Sequence, residues 1–236
     1  MIKIEHIVEP SASHMEFVIE SMRNPMNSWD RSDSYITYGG EFILGENDKL
    51  LMEHLCKAGT DHRKFMRQMP LMMRITAPLY WWKEYDTYKV GTVANSCSTM
   101  HKIHAKEFER TDFSCEHLPK GSDAYSDTWD FETSSNMVMV NEDDPLYVSA
   151  MDILDLTIKG LNHFRDKFIE TKDKKYWWQM IQLLPSSYNQ TRDVTINYEV
   201  AHNIFNARNN HKLDEWREFC DVLKSSRYSF LISEER

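Results

Sequence analysis

The chain has 236 residues, of which 41% are hydrophobic and 28% charged, and this composition excludes an intrinsically disordered protein. The formal net charge of −9 argues against non-specific nucleic-acid binding, because such binding needs clustered lysines and arginines against phosphate. No run is apolar over the length of a bilayer, and the first ten residues contain no apolar signal region. We therefore predict a cytoplasmic protein that binds neither membrane nor nucleic acid. With only 7 Gly and 7 Pro, we expect a single domain over residues 1–236.

The predicted elements of the first hundred residues follow two periodicities. They are a strand at 2–8, a helix at 15–22, a loop at 23–45, a helix at 46–58, a strand at 71–76 and a helix at 81–88. The first strand rests on alternating apolar and polar residues, and the helix at 46–58 ends at Gly59. The loop is rich in Asn, Asp, Ser and Tyr, and loops of this length in compact domains are often functional.

The second half of the chain is mainly helical by the same criteria. An irregular insertion is predicted near 111–145, because this region is acidic and aromatic and has little periodicity. The predicted helices that follow it cover residues 146–169, 177–184, 196–207 and 213–223.

Residues 77–104 are predicted to be the ligand-binding centre. Within them, residues 91–99 are small and able to form hydrogen bonds, and such a loop can bring backbone N–H groups close to phosphate oxygens. The alternative is an ordinary capping loop with Ser98 or Thr99 as the N-cap of a helix. The aromatic cluster at the start of this stretch favours a core or a subunit interface over a stacking site. Its members are Tyr80, Trp81, Trp82 and Tyr85.

The four cysteines are widely spaced and form no C-x-x-C pair, which indicates reduced thiols. His101 and His104 are three residues apart on a predicted helix, so both imidazoles could face one side. A metal site there would need a third ligand, such as His62 or a carboxylate, and the sequence identifies none. We therefore predict no metal site.

Three separated segments resemble the flavin-dependent thymidylate synthase family. Residues 51–78 follow that family's order of a helix, a histidine-containing turn and a strand entering Ala-Pro. Residues 87–89 (Thr-Tyr-Lys) occupy the place of the R-H-R signature, and residues 98–100 (Ser-Thr-Met) occupy the place of S-x-R, with one extra residue between them. In the third segment, residues 183–216, Asn203 and Arg208 keep the family's Asn and Arg at a spacing of five.

The resemblance implies an α/β (α+β) fold in which helices pack on a central, mostly antiparallel sheet. It also implies a homotetramer that binds FAD and methylates a pyrimidine deoxynucleotide such as dUMP. The co-substrates would be methylene-tetrahydrofolate and NADPH. No protein nucleophile is essential to that chemistry, because the cofactor carries the one-carbon unit and the protein supplies orientation and charge. The absence of a Ser-His-Asp arrangement therefore does not exclude an enzyme.

The same resemblance assigns roles to individual residues. The cofactor-binding positions are His62, Tyr88, Lys89, Asn95 and Asn203. The substrate-binding positions are Glu84, Ser96, Cys97, Ser98 and Arg208. Arg208 is also the catalytic position, since a guanidinium at the uracil edge stabilises negative charge that develops on the ring. The residue patterns alone also allow simpler roles: Arg208 as a cation at a helix C-terminus, Asn203 as a surface or capping residue, and Lys89 as an exposed side chain.

Several family arginines are replaced. Met100 stands in the place of the Arg of S-x-R, and Ile181 or Gln182 in the place of a phosphate-binding Arg. The side chains that could replace them are Arg63, Arg67, Arg74, Lys83, Lys102 and Arg192. Three hypotheses follow: a divergent enzyme, a nucleotide- or flavin-binding protein without turnover, and a homo-oligomer that keeps only the fold.

Overall fold

The computed structural model describes residues 2–118 and 150–233, together with the backbone of a two-stranded ribbon at 129–130 and 147–148. The chain divides into two compact units, one formed by Met1–Cys97 with Gln190–Arg236 and the other by Ser98–Asn189. Each unit has its own hydrophobic core. The single-domain organisation stays a prediction. Within the described residues, no helix combines the length and apolar character needed to cross a bilayer.

In chain order, the helices and strands are β1 (Lys3–Val8), α1 (Ala12–Arg23), β2 (Tyr35–Ile36), β3 (Phe42–Ile43), α2 (Glu46–Lys57), α3 (Lys64–Arg67), β4 (Pro70–Pro78), α4 (Leu79–Tyr85), β5 (Val93–Ser96), α5 (Thr99–Lys102), β6 (Trp129–Asp130), β7 (Tyr147–Val148), α6 (Ala150–Thr171), α7 (Lys174–Leu183), β8 (Asn189–Asn197), α8 (Tyr198–Arg208) and α9 (Asp214–Lys224). The seven helices predicted from periodicity are confirmed, with boundaries that shift by a few residues.

The first unit is built on a four-stranded sheet with the order β1-β4-β8-β5. β1 and β5 are the edge strands, and they run antiparallel to β4 and β8 respectively. Side-chain hydrogen bonds join Arg74 to Asp193 and Thr76 to Thr191. The residue number therefore rises along β4 where it falls along β8, so these two strands are antiparallel as well. The central, antiparallel sheet implied by the family resemblance is therefore present.

The two central strands bury one face of this sheet. In β4, Leu71, Met73 and Ile75 are buried while the residues between them face outward, which is the period-two pattern of a half-buried strand. In β8, Val194 and Ile196 are buried on the same principle. Most of the rest of this core comes from helices α1, α2, α3, α4, α8 and α9 and from residues 228–232.

Two of the four strands were not predicted from the sequence. Residues 189–195 were not assigned to any element and 196–197 were assigned to the helix at 196–207, because only two apolar side chains of this strand point inward and its first half is polar. Residues 91–99 were predicted to form a loop, but 93–96 form the edge strand β5, paired with β8 from Val93–Thr195 to Ser96–Arg192. All four β5 residues are exposed, so this strand has no alternation of buried and exposed side chains that a sequence pattern could reflect.

The predicted loop at 23–45 is fixed by a buried carboxylate on α2. Asp48 is fully buried, and its Oδ1 accepts a hydrogen bond from Arg23 Nε at 2.6 Å. Its Oδ2 accepts hydrogen bonds from Ser32 Oγ, from the backbone N–H of Asp33, and from both the N–H and the Oγ of Ser34, at 2.7–3.1 Å. Burial alone would raise the pKa of Asp48, but the bonds from Ser34, Ser32 and Arg23 lower it below the ordinary value.

The second unit is centred on α6 and α7. Its core contains Met151, Leu154 and Leu161 of α6 and Met180 of α7. The side chain of Asn162 on α6 makes two hydrogen bonds to the backbone of residue 108, at 2.8 and 2.9 Å. Of the insertion predicted near 111–145, residues 111–118 are described, and the remainder lies outside the described residues except for the backbone of β6.

Candidate functional site

The C-terminal end of α8 presents Arg208 to two other residues that were assigned to the site from the sequence. Arg208 Nε donates to Tyr88 Oη at 2.9 Å, and Nη1 donates to Glu84 Oε2 at 2.7 Å. The guanidinium also lies 4.8 Å from the ring centroid of Trp216, within the range of a cation–π contact. The structure therefore brings Arg208 to Glu84 and Tyr88, although it lies 124 and 120 residues from them in the chain.

Glu84 is the centre of this cluster. Its Oε2 also accepts a hydrogen bond from Trp216 Nε1 at 3.0 Å, and His211 Nε2 lies 3.5 Å away. His211 Nδ1 accepts the backbone N–H of Leu213 at 3.2 Å, and His211 Nε2 lies 2.9 Å from Arg208 Nη1. Helix α4 positions Glu84 because its opposite face is buried. Trp81, Trp82 and Tyr85 on that face are each at most 1% exposed.

That burial confirms the core assignment of the aromatic cluster. Trp81 packs against Trp216 at a centroid distance of 4.7 Å and against Trp82 at 4.9 Å. Tyr80 is half-buried and donates its hydroxyl to the carboxylate of Glu215. Burial also raises the pKa of Tyr85 well above its ordinary value, so this hydroxyl stays protonated.

One donor and one acceptor of the central ion pair are uncommitted. Among the described residues, Arg208 Nη2 and Glu84 Oε1 have no hydrogen-bond partner. The two side chains are 20% and 35% exposed, so these atoms can be reached from solvent while the rest of the cluster is packed. The cluster can therefore hold a ligand that accepts one hydrogen bond and donates another.

The predicted cofactor-binding residues other than Tyr88 lie apart from this cluster. His62, Lys89, Asn95 and Asn203 are all exposed. In the part of the chain that the structure describes, their side chains make no hydrogen bond or ion pair to Arg208 or Glu84. Asn203 is on the same helix as Arg208, but a separation of five residues turns it by about 140° around the axis.

The predicted substrate loop, residues 91–99, takes part in regular secondary structure. The backbone N–H of Cys97 donates to Thr191 O at 2.9 Å, and its carbonyl accepts from Gln190 Nε2 at 3.1 Å. This N–H is therefore already bound by β8, while the assignment of Cys97 to substrate binding stays a prediction. Ser96 is exposed at the end of β5. Ser98 belongs to the second unit, where its Oγ accepts the N–H of His101 at 3.2 Å and caps α5, as the alternative interpretation expected.

Most of the cations that could replace the family's arginines are already paired. Arg67 binds Glu199, and Arg74 makes a two-pronged bond to Asp193 at 2.8 and 3.0 Å. Arg192 binds Asp86 at 2.7 Å and lies over the ring of Trp82 at 4.2 Å. Arg63 donates to the carbonyl of residue 56 at 2.6 Å. Lys83 and Lys102 are exposed, on α4 of the first unit and α5 of the second.

His211 and Trp216 were not predicted to belong to the site. Trp216 is in the predicted helix at 213–223, and its burial is consistent with the helical period, but no local signal connects it with a glutamate 132 residues earlier. His202, on the same helix as Arg208, is buried, with Nδ1 2.9 Å from the carbonyl of Leu231 and Nε2 2.9 Å from Asn206 Nδ2.

The histidine pair of the second unit does not converge on a common point. His101 is exposed, while His104 packs edge-on against Phe168 at a centroid distance of 4.9 Å. Within the described residues, no group of three His, Cys, Asp or Glu side chains is arranged to hold a metal ion.

The fold and the cluster define a class: an α/β protein with an antiparallel sheet and an arginine-centred polar site at the end of a helix. No family model and no curated protein matches the sequence. Two crystal structures of thymidylate synthase X (ThyX) from Helicobacter pylori, both with FAD and dUMP, are similar in structure, each with a TM-score of 0.62. They are 15% and 16% identical in sequence, and each comparison covers 99% of this chain and 98% of the other. The chain therefore has the fold of a flavin-dependent thymidylate synthase.

Proposed function

We propose that the protein binds a pyrimidine deoxynucleotide such as dUMP together with FAD and transfers a one-carbon unit to the base. Methylene-tetrahydrofolate and NADPH are the proposed co-substrates of this thymidylate synthase-type activity. The observation that carries the proposal is the oriented Arg208, whose Nη2 is uncommitted while Tyr88 and Glu84 hold its other nitrogens. The structural neighbours with this fold were solved with FAD and dUMP.

In this proposal, Arg208 donates from Nη2 to a carbonyl oxygen of the base. The Arg208 side chain is only 20% exposed and its guanidinium lies against Trp216, so its hydrogen bonds are less screened than on an open surface. Because its orientation is fixed before the ligand arrives, it can stabilise negative charge on the ring without reorganisation. Reduced flavin, when bound, supplies the carbon-transfer chemistry.

The residues proposed to hold FAD, other than Tyr88, are exposed side chains, and each would contact the cofactor individually. Lys89 supplies a single positive charge for the pyrophosphate where the resembling family uses arginines, so binding is expected to be weaker and less directional. His62, Asn95 and Asn203 are exposed polar side chains, and no hydrogen bond among the described residues joins them to one another. A homotetramer would let exposed residues of several copies line one flavin site, and we therefore propose this oligomeric state.

A second candidate is a nucleotide- or flavin-binding protein without turnover. It is favoured by the pairing of Arg67, Arg74 and Arg192 with carboxylates, which leaves those charges compensated. Two lost phosphate contacts, at about 1.5–3 kcal/mol each, weaken nucleotide binding by roughly two to four orders of magnitude. Under this candidate the protein is a homo-oligomer that binds a nucleotide or flavin but gives no methylated product.

The absorbance spectrum of the purified protein, with and without added FAD, tests the proposal. We expect a bound-flavin band that weakens in Lys89→Ala and in Asn203→Ala. The exposed Lys57 at the end of α2 offers a control, and Lys57→Ala should retain the band. Colourless protein that takes up no FAD would contradict the enzyme and would leave only nucleotide binding for the second candidate. Flavin uptake followed by product formation from dUMP distinguishes the enzyme from the binding protein.

A further inference from the structure

A cavity of about 190 Å³ lies between α1 and the segment 23–45. Its buried lining is apolar and is formed by Ile19 of α1 and Phe42 of β3. An apolar cavity of about 150 Å³ is large enough to hold benzene, so this one has room for a small organic molecule. None of the residues that line it takes part in the cluster around Arg208.

Two carboxylates line this cavity from α1. Glu16 and Glu20, here called the glutamate pair, are four residues apart, which places them on one face of the helix. Both are exposed, and in the part of the chain that the structure describes neither forms an ion pair. Arg23 follows about one turn later, but its guanidinium binds the buried Asp48 instead. The glutamate pair therefore presents uncompensated negative charge to the cavity.

Two aromatic side chains line the same cavity and remain accessible to a ligand. Trp29 and Tyr35, here called the aromatic pair, are 49% and 57% exposed. The Trp29 ring is held in place because its Nε1 donates to Asn24 Oδ1 at 2.9 Å. The face of an aromatic ring attracts a cation, and the ring also contacts the methylene groups of an alkyl chain. Together with the glutamate pair, these rings favour a ligand that carries an organic cation.

A donor of opposite charge lies at the C-terminal end of α1. Arg23 also lines the cavity, and its side chain is only 5% exposed. Its Nε donates to Asp48 Oδ1 at 2.6 Å and its Nη1 to the carbonyl of Ser28 at 3.3 Å, while Nη2 has no hydrogen-bond partner among the described residues. Asp48 Oδ2 is already occupied by four donors of residues 32–34. An acceptor on a ligand would satisfy Nη2, and leaving such a largely buried donor unpaired is unfavourable.

We propose that this cavity binds a small dipolar molecule, an aliphatic amine that also carries a carboxylate. The ammonium group binds the glutamate pair and faces the aromatic pair, the alkyl chain covers Ile19 and Phe42, and the carboxylate accepts from Arg23 Nη2. The helical rise places Arg23 about 4.5 Å beyond Glu20 along the axis of α1, and about 10.5 Å beyond Glu16. The two charged groups of the ligand are therefore several methylene groups apart. This binding function is additional to the proposed nucleotide site and does not depend on it.

The test uses δ-aminovalerate, in which four methylene groups separate the amine from the carboxylate. Its binding to the native protein is compared by calorimetric titration with that of pentylamine, which lacks the carboxylate, and of valerate, which lacks the amine. Because each of these loses one charge-assisted interaction, we expect δ-aminovalerate to bind at least about tenfold more tightly than either. The variant Glu16→Gln/Glu20→Gln should bind δ-aminovalerate at least about tenfold more weakly than the native protein, and its preference over valerate should fall below about threefold.

The matched control is Glu41→Gln/Glu107→Gln, which removes the same charge from two exposed positions outside the cavity and should keep the native affinity. Absence of δ-aminovalerate binding by the native protein at millimolar concentration would overturn the inference. Pentylamine that binds as tightly as δ-aminovalerate would overturn it too, because Arg23 would then contribute nothing. Unchanged affinity in Glu16→Gln/Glu20→Gln would contradict the role of the glutamate pair. The comparison of the three ligands on native protein needs no variant, so it decides the question even if a variant folds poorly.

Discussion

Replacing Asp48 by Asn should be one of the most damaging conservative changes in the first unit. Asp48 is fully buried, and Arg23, its partner at 2.6 Å, has a side chain only 5% exposed. The single amide oxygen of Asn can retain the donors that Oδ2 serves, namely those of residues 32–34. The amide N–H₂ then faces Arg23 Nε, donor against donor, and the guanidinium loses its compensating charge.

Breaking a buried ion pair in this way costs about 3–5 kcal/mol of unfolding free energy. The matched control is Asp193→Asn, which removes a pair whose side chains are 44% and 56% exposed and should cost about 0–1 kcal/mol. Urea unfolding followed by circular dichroism measures both values. If Asp48→Asn and Asp193→Asn differ by less than about 1 kcal/mol, the assigned role of Asp48 is incorrect.

The double variant Arg23→Met/Asp48→Asn separates loss of charge compensation from loss of packing. Met restores apolar volume without a charge, so the uncompensated guanidinium is absent. We expect the double variant to be more stable than Asp48→Asn alone, because residues in direct contact are not additive. A double variant that loses the full sum of both single costs would contradict this explanation.

Three further predictions concern pH, the tryptophans and the cysteines. The folded-state pKa of Asp48 lies below its ordinary value. Its contribution to stability is therefore present above the unfolded-state pKa and is lost as pH falls through the folded-state pKa. The unfolding free energy, measured across the acid range, should fall less steeply in Asp48→Asn than in the native protein. Trp81 and Trp216 are both fully buried, but Trp81 Nε1 has no partner within the described residues and Trp216 Nε1 donates to Glu84. In urea unfolding, Trp216→Phe should therefore lower the unfolding free energy by about 1–3 kcal/mol more than Trp81→Phe does. Equal losses of unfolding free energy in the two variants would refute this. Burial, with a smaller effect of the Asp221 charge, raises the pKa of the Cys220 thiol to about 12, whereas Cys97 is exposed. Alkylation of the native protein, followed by mass spectrometry, should therefore modify Cys97 before Cys220. Modification of Cys220 before Cys97 would contradict the packing of α9.

Local periodicity was sufficient to predict seven of the described helices, although not the four-residue α3. The apolar positions of α6, for example, repeat at helical spacing, and Leu154, Ile158 and Leu161 of that set are buried. β4 was predicted because residues 71–76 form a short apolar run with β character. β8 was not, because its first half is polar and its apolar half is too short to be separated from the helix that follows.

The site could be predicted only in part, for a different reason. Arg208 and Glu84 were each assigned to it, but their ion pair joins residues 124 positions apart, and no local pattern records such a contact. The same holds for Trp216, which was predicted to lie in a helix and not in the site. The N–H of Cys97 is bound by β8, and this could not be predicted because the sequence pattern did not reveal that strand.

The measurement that tests the central claim most directly is a calorimetric titration of dUMP into three proteins: native, Arg208→Met and Arg217→Met. Arg217 forms an exposed ion pair with Asp214 on α9 and serves as the matched control. Native protein and Arg217→Met should bind dUMP with similar affinity, and Arg208→Met should bind at least about tenfold more weakly, because a charge-assisted hydrogen bond to the base is lost. Binding by Arg208→Met that equals the native affinity, or no binding by the native protein at millimolar dUMP, would contradict a nucleotide site at Arg208.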